Sequence, residues 1–379
     1  MNPLHIQELV DRCIDFLDAA DPALRACSLV SRSWVHPSQA RIFSEIEFED
    51  IRGLDEVLHP RASRLLGILD AAPHLTRYIK KLEISNRALA SQDDFVRFSK
   101  LPFTRLASLQ ISHLDIVLDS EVSTAIDWML RLPTVRALSL RCRFADKKQF
   151  LSMWEHCSSN IKHLHLHCVY DDPGVPAVEQ GSPVRRHITL DSFHMDDTVQ
   201  WWLNDPRCTL DFSRLRALRY FGDSTDILLH GTLAATFKAV EVLCLTSPMT
   251  DLSVRSTDLS LFERVNDLHL VWHSFSSFRV VPTIRPYSRV HLRILRFHFI
   301  GTTMVEKFSV LCAKLHEALS GLDLKDQYPN LALVHISAKV ATPALTQGIE
   351  GYFPLLEPRI SVRWNFRTDQ GAPWYQSIV

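Results

Sequence analysis

The sequence predicts an α/β protein in two parts: a short three-helix module over residues 1–48, then a solenoid of short parallel strands over residues 76–366. Three observations predict it. Capping side chains stand directly before prolines at Asn2-Pro3 and Asp21-Pro22, the order in which a helix begins. Farther along, short segments with an apolar-x-apolar centre recur at nearly constant spacing, each fitting a strand with one side buried. Between many of them lies a helical stretch that ends at a turn signal.

After the first helix start, Ile6, Leu9, Val10, Cys13, Ile14 and Leu17 follow a 3-and-4 spacing, so one helical face is continuously apolar. After the second, Leu24, Cys27, Leu29, Val30 and Trp34 give a shorter apolar run. Ile42, Phe43, Ile46 and Phe48 close the segment beyond His36-Pro37. Ordering this backbone costs about 1–2 kcal/mol per residue, and each buried aliphatic side chain returns about 1.5–3 kcal/mol. A unit this small is marginal alone. It carries more apolar side chains than three short helices can hide among themselves, which points to a partner.

The run N-P-L-H-I-Q-E-L-V-D-R-C-I-D-F-L, then D-P-A-L-R-A-C-S-L-V-S-R-S-W, then A-R-I-F, resembles an F-box, in particular the fungal form with its A-C-S-L-V-x-R-x-W core. The resemblance implies a three-helix module that docks on the adaptor subunit of a cullin-type ubiquitin ligase. Position by position, Pro3, Ile6, Leu9, Leu17, Leu24, Leu29, Val30 and Trp34 match the family pattern and are the adaptor-binding residues it implies. The chain has Asn2 and His5 where the family has Leu and Glu. A different reading of the same residues is a helical cap over the end of the array, which solenoids need.

Residues 49–75 form a helical linker or cap, with a helix expected from Ser63 to Ala72 before Pro73. The array follows. Its strand centres are Leu82-x-Ile84, Leu109-x-Ile111, Leu138-x-Leu140, Leu164-x-Leu166, Ile188-x-Leu190, Leu218-x-Tyr220, Leu243-x-Leu245, Leu268-x-Leu270, Leu295-x-Phe297, Val334-x-Ile336 and Ile360-x-Val362. First positions lie 24 to 30 residues apart, except for 39 between Leu295 and Val334. That period resembles the degenerate leucine-rich repeats that often follow an F-box, although the asparagine of the full consensus is absent. Crossover helices are expected at Ser123–Leu132, Phe150–Cys157 and Lys307–Leu319, the last inside the enlarged repeat. Alternating strands and helices also fit a doubly wound sheet; the near-constant step favours the solenoid. Asp171 to Pro183 reads as a protruding loop, and residues 367–379 as a C-terminal tail.

In such an array the residues between the apolar pairs form an exposed row on the inner surface. Its members include Glu83, Gln110, Ser139, His165, Thr189, Arg219, Cys244, His269, Arg296, His335 and Ser361. Mixed polarity of this kind suits a protein-binding surface better than a small-molecule pocket. His165, Arg219, His269, Arg296 and His335 are the candidate target-binding residues.

Composition excludes several other functions. Lys plus Arg number 42 against 43 Asp plus Glu, a formal net charge of -1, so no long-range field toward nucleic acid or anionic membrane arises. The eight cysteines are scattered without metal or redox spacing, which fits a reducing compartment. No run approaches eighteen apolar residues and the N-terminus lacks a signal-peptide pattern; the expected location is cytoplasm, nucleus or both. With 11 glycines and no Gly-x-Gly-x-x-Gly, Walker or Gly-x-Ser-x-Gly motif, neither cofactor nor catalytic site is expected. His163, His165 and His167 share one strand face, but spacing of about 6.5–7 Å keeps them from converging on a metal. His194, Asp196 and Asp197 are better placed to begin a helix than to do acid–base chemistry.

The expected function is a non-catalytic substrate receptor of a cullin-type ligase in ubiquitin-dependent protein degradation, with an adaptor at the front and a protein target on the array. The alternatives are a leucine-rich-repeat scaffold without a ligase and, from another class, an α/β hydrolase or transferase.

Overall fold

A computed structural model describes residues 7–18, 21–48, 59–85, 92–172, 187–203, 205–222, 237–247, 262–272, 291–303, 328–340 and 361–367. It divides into two compact units, Met1–Ile188 and Thr189–Val379.

The first unit opens with three helices, α1 (Gln7–Asp15), α2 (Pro22–Val30) and α3 (Arg32–Ile42). Asp21 caps α2 by accepting from the Ala23 amide at 2.8 Å, with Pro22 at the first helical position. Val10, Ile14 and Leu24 form a small core, and Leu17, Cys27, Trp34 and Ile42 pack around it. The Arg41 guanidinium ties the end of α1 to α3 by donating to the Leu17 carbonyl at 3.1 Å.

A parallel ladder follows: β1 (Glu45–Glu47), α4 (His59–Ala71), β2 (Lys81–Ser85), α5 (Gln92–Ser99), β3 (Ser108–Val117), α6 (Ser120–Leu130), β4 (Ala137–Asp146), α7 (Lys147–Trp154) and β5 (His163–Asp172). The five strands pair in sequence order, all parallel. Helices α4 to α7 are likewise neighbours in sequence order, so each crossover repeats the one before it. Asp119 and Asp146 cap α6 and α7 by accepting from the Val122 and Gln149 amides. Ile46, expected to belong to the helical segment, instead heads the ladder opposite Leu82.

β6 (Ile188–Thr189) falls at the boundary, and the second unit holds β7 (Ser192–Asp196), α8 (Gln200–Leu203), β8 (Leu210–Asp211), β9 (Ala217–Phe221), β10 (Val242–Ser247), β11 (Asp267–Trp272), β12 (Ile294–Thr303), β13 (Leu333–Val340) and β14 (Ser361–Arg367). Strands β7 and β9 to β14 form one parallel ladder. The expected helix at 307–319, most of the protruding loop and residues 368–379 of the expected tail lie outside the described residues, while Arg367, its expected first residue, ends β14.

The apolar-x-apolar centres fall in register, as in Leu82, Leu109, Leu138 and Leu164, and again in Leu218, Leu243, Leu268, Leu295 and Val334. One hydrogen-bond device starts the strands. The carbonyls of Lys80, Ala107, Arg136, Asp191, Arg216, Glu241, Asn266 and Arg293 each accept two successive amides; Ala107, for example, takes those of Arg136 and Ala137 at 2.9 and 3.0 Å.

That device corrects two expected strands. Asp191 is the position equivalent to Arg216, so the ladder strand is β7, with Phe193 opposite Leu218, and Ile188-x-Leu190 lies outside it. At the far end Val362 and Trp364 stand opposite Val334 and Ile336, two residues later than Ile360-x-Val362. The slip at Ile360 is by two residues and preserves the strand face, because alternation has a period of two and does not distinguish registers that differ by two; the slip at Ile188 is by five, and Ile188 falls in the separate strand β6.

The repeat also has two earlier anchors. A buried apolar residue stands three before each centre: Leu106, Val135, Ile161, Leu215, Val240, Val265, Leu292 and Leu331. Three before several of those stands an aromatic. Phe212, Phe237 and Phe262 are buried with successive ring centroids 6.1 Å apart, forming a spine through the second unit's core.

Candidate functional site

Two kinds of surface stand out: an apolar one on the helical module, and a polar row on the ladder of each unit. On the helical module the core is small and much apolar surface is left in water. Leu9 is 41% exposed, Phe16 90%, Leu29 86% and Val30 65%; these are four of the large hydrophobic side chains exposed among the described residues. Helix geometry explains the division. Val10 and Ile14 are four residues apart and face Leu24, whereas Leu9 and Phe16, two turns apart, face away. Leu29 and Val30 sit in the last turn of α2, where the chain turns at Ser31 into α3.

The residues matched to the F-box pattern therefore separate into two groups. Leu24 is 0% exposed and belongs to the module's own core, and Leu17 and Trp34 are half-buried against it. Leu9, Leu29 and Val30 are open to solvent. Pro3 and Ile6 lie outside the described residues. Phe16, the most exposed of the set, was not among the expected residues; its seven-residue spacing from Leu9 is the sequence signal for it.

The second surface is the polar row of the ladders. In the first unit Glu83, Gln110, Ser139 and His165 occupy one register position on β2 to β5. Gln110 donates to Glu83 at 2.6 Å, and Ser139 Oγ lies 3.0 Å from His165 Nδ1. His163 and His167 flank His165 on the same strand face, all three half-buried. Among the described residues no three His, Cys, Asp or Glu side chains converge in a metal-binding group.

In the second unit the row runs His194, Arg219, Cys244, His269, Arg296, His335 and Arg363 across β7 and β9 to β14. Thr189 and Ser361, placed in this row from sequence, are displaced from it by the two register corrections. Arg219, Arg296 and His335 are half-buried, and His269 is buried. Arg296 grips Asp267 on the neighbouring strand, its Nε 2.9 Å from Oδ1 and its Nη2 3.0 Å from Oδ2. His269 Nε2 lies 3.1 Å from the same Asp267 Oδ1. On its other side His269 Nδ1 is 3.1 Å from His298 Nε2, and His298 Nδ1 is 2.5 Å from Ser337 Oγ. Asp267 and Ser337 were not singled out from sequence, yet period two puts both on the row's face.

Electrostatics follow from this packing. Burial works to raise the Asp267 pKa, but hydrogen bonds from His269 and Arg296, with their charges, hold it below the usual carboxylate value. His298 is pushed down to about 2, first by burial and then by its cationic neighbours, His269 and His335 when they are protonated, and Arg296 and Arg219. Burial pushes the Cys244 thiol up, against the pull of Arg219. Near the start of the ladder, the Asp196 carboxylate accepts from the Thr198 amide at 3.0 Å and caps a single helical turn, and Asp197 accepts from the Tyr220 hydroxyl. These carboxylates hold the chain in place.

No protein-family model matches the chain, and no curated protein matches it. A solved structure does: the chain is similar to the crystal structure of the Rad7 and Elc1 complex in yeast, with 12% identity over 94% of this chain and 91% of that one, at a TM-score of 0.40.

Proposed function

We propose that the protein is a non-catalytic substrate receptor of a cullin-type ubiquitin ligase. Its three N-terminal helices dock on the adaptor subunit, and the polar strand row holds a protein target. The observation that carries the reading is the exposure of Leu9, Phe16, Leu29 and Val30 on a module whose buried core, among the described residues, is Val10, Ile14 and Leu24. Aliphatic and aromatic side chains left in water on so small a unit are stabilised by a partner that removes them from it.

On this reading catalysis is supplied by the ligase and not by this chain. The receptor holds the target at high effective concentration beside the charged ubiquitin carrier, and the gain is proximity. Cross-strand pairs in each unit, Gln110 with Glu83 in the first and Arg296 with Asp267 in the second, offer both charge signs and hydrogen-bonding groups to a protein surface. The site of action is the cytoplasm, the nucleus or both, where such ligases work.

The test is affinity purification of the full-length chain from cells, followed by mass spectrometry for the adaptor and the cullin. Recovery of both, lost in Leu29→Asp/Val30→Asp, supports the docking assignment. Recovery of neither, with other proteins still held by the array, identifies a repeat scaffold outside the ligase system.

A further inference from the structure

We propose that Asp267, His269, His298 and Ser337 form a one-proton relay that clasps strands β11, β12 and β13 together and opens when a second proton enters. The four side chains are joined end to end across three strands: Asp267 to His269 at 3.1 Å, His269 to His298 at 3.1 Å, and His298 to Ser337 at 2.5 Å. Both imidazoles are buried, and their rings stack with centroids 5.2 Å apart.

The chain fixes where each proton sits. Asp267 is an acceptor only, so His269 donates from Nε2. A neutral His269 then has a bare Nδ1, which accepts from His298 Nε2–H, and His298 Nδ1 in turn accepts from the Ser337 hydroxyl. One added proton is accommodated by reversal. It enters at His298 Nδ1, the proton on His298 Nε2 passes to His269 Nδ1, and His269 becomes an imidazolium held by the Asp267 carboxylate. His298 now donates to Ser337 Oγ, and all three links survive. A second proton has no such place. With both imidazoles charged, two N–H donors confront each other across the central link, and the chain parts there.

The surroundings decide which imidazole refuses that proton. Among the described residues, those facing His298 are Arg296 on its own strand, Asp267 and His269 on β11, His335 and Ser337 on β13, and, farther along the row, the Cys244 thiol and Arg219. Asp267, the carboxylate among them, is already engaged by Arg296 and His269, so the field at His298 is positive. His298 is accordingly the group held neutral, its pKa pushed down to about 2. The sign follows. A histidine whose pKa is depressed in the closed state favours opening as pH falls, so the clasp is intact above about 6.5 and weakens below it. The open population rises about tenfold per pH unit, reaching about 100-fold at pH 4.5. The relay is a property of the second unit itself and does not depend on a ligase partner.

Hydrogen exchange by mass spectrometry on the full-length protein, corrected for intrinsic rates, tests it between pH 8 and pH 5. Peptides spanning β12 and β13 are expected to lose protection about tenfold per unit below pH 6.5, while those of β3 do not. His298→Gln, neutral at every pH, abolishes that slope; Ser337→Ala lowers protection at all pH values and keeps the slope. In nitrogen-15 spectra of the intact protein at pH 8, the His298 resonances show Nε2 protonated and Nδ1 bare. A His298→Gln variant that retains the slope overturns the relay. So does His298 carrying its proton on Nδ1 at pH 8. If His298→Gln does not fold, equal pH dependence of β3 and β12 in the wild-type chain overturns it instead.

Discussion

Leu29→Asp combined with Val30→Asp separates docking from folding. Both side chains are mostly in water, at 86% and 65% exposure, so the free protein loses little packing and its stability changes by about 0.5 kcal/mol or less. On a partner the loss is large. Burying an aliphatic side chain is worth about 1.5–3 kcal/mol, so two of them contribute at least about 3 kcal/mol, and carboxylates in their place add a desolvation cost. That corresponds to more than about 100-fold in affinity. Calorimetric titration of the full-length chain with the purified adaptor measures it, and a thermal melt of the variant supplies the stability control. Leu24→Ala is the informative companion, because Leu24 is 0% exposed and a core truncation there costs about 2–5 kcal/mol of module stability. Docking through Leu29 and Val30 is refuted if the double variant binds as tightly as the wild type, or if its melt falls as far as that of Leu24→Ala.

Three further outcomes are expected. Gly222→Ala places a Cβ against the Tyr220 hydroxyl and the Asp197 carboxylate, which are bonded to each other; its urea midpoint should fall by the equivalent of about 1–3 kcal/mol, and an unchanged midpoint contradicts the packing. Burial pushes the Cys157 thiol up to about 12, so iodoacetamide at pH 8 should modify the exposed Cys13 and spare Cys157, as peptide mapping will show. Asp267→Asn removes a carboxylate whose pKa is held below its ordinary 3.8. A depressed carboxylate adds stability above that pH and loses it as pH falls through the folded value. The variant should therefore be about 1–3 kcal/mol less stable at pH 7 by urea denaturation, with the gap narrowing below pH 3.8.

The ladder was written in the chain because its apolar contacts are periodic. Leu109-x-Ile111 and Leu138-x-Leu140 give the strand face, and their spacing gives the step at which one repeat stacks on the next. The slip at Ile360 is by two residues, and alternation carries no mark that separates such registers. At Ile188 a second apolar pair precedes the ladder strand, and the residue that marks where that strand starts, Asp191, acts through a backbone carbonyl that every residue has. The earlier anchors at Leu215 and Phe212 were legible in the sequence, since they keep the same interval to Leu218 that Val240 and Phe237 keep to Leu243.

Apolar content at the front of the chain was likewise a sequence property; its division was not. Leu24 and Leu29 are the same residue type on one short helix. Only the packing of α1 and α3 against α2 decides that the first is enclosed and the second is left in water. The polar row shows the same partition. Local alternation sufficed to put His269, Arg296 and His335 on one face. The link from Asp267 through two imidazoles to Ser337 joins residues up to 70 positions apart, with the lateral strand spacing bringing them together. Periodic, short-range preferences are encoded residue by residue and survive in the bare sequence. Which side chain meets which across strands, and hence where protons and solvent reach, exists only once the strands are stacked.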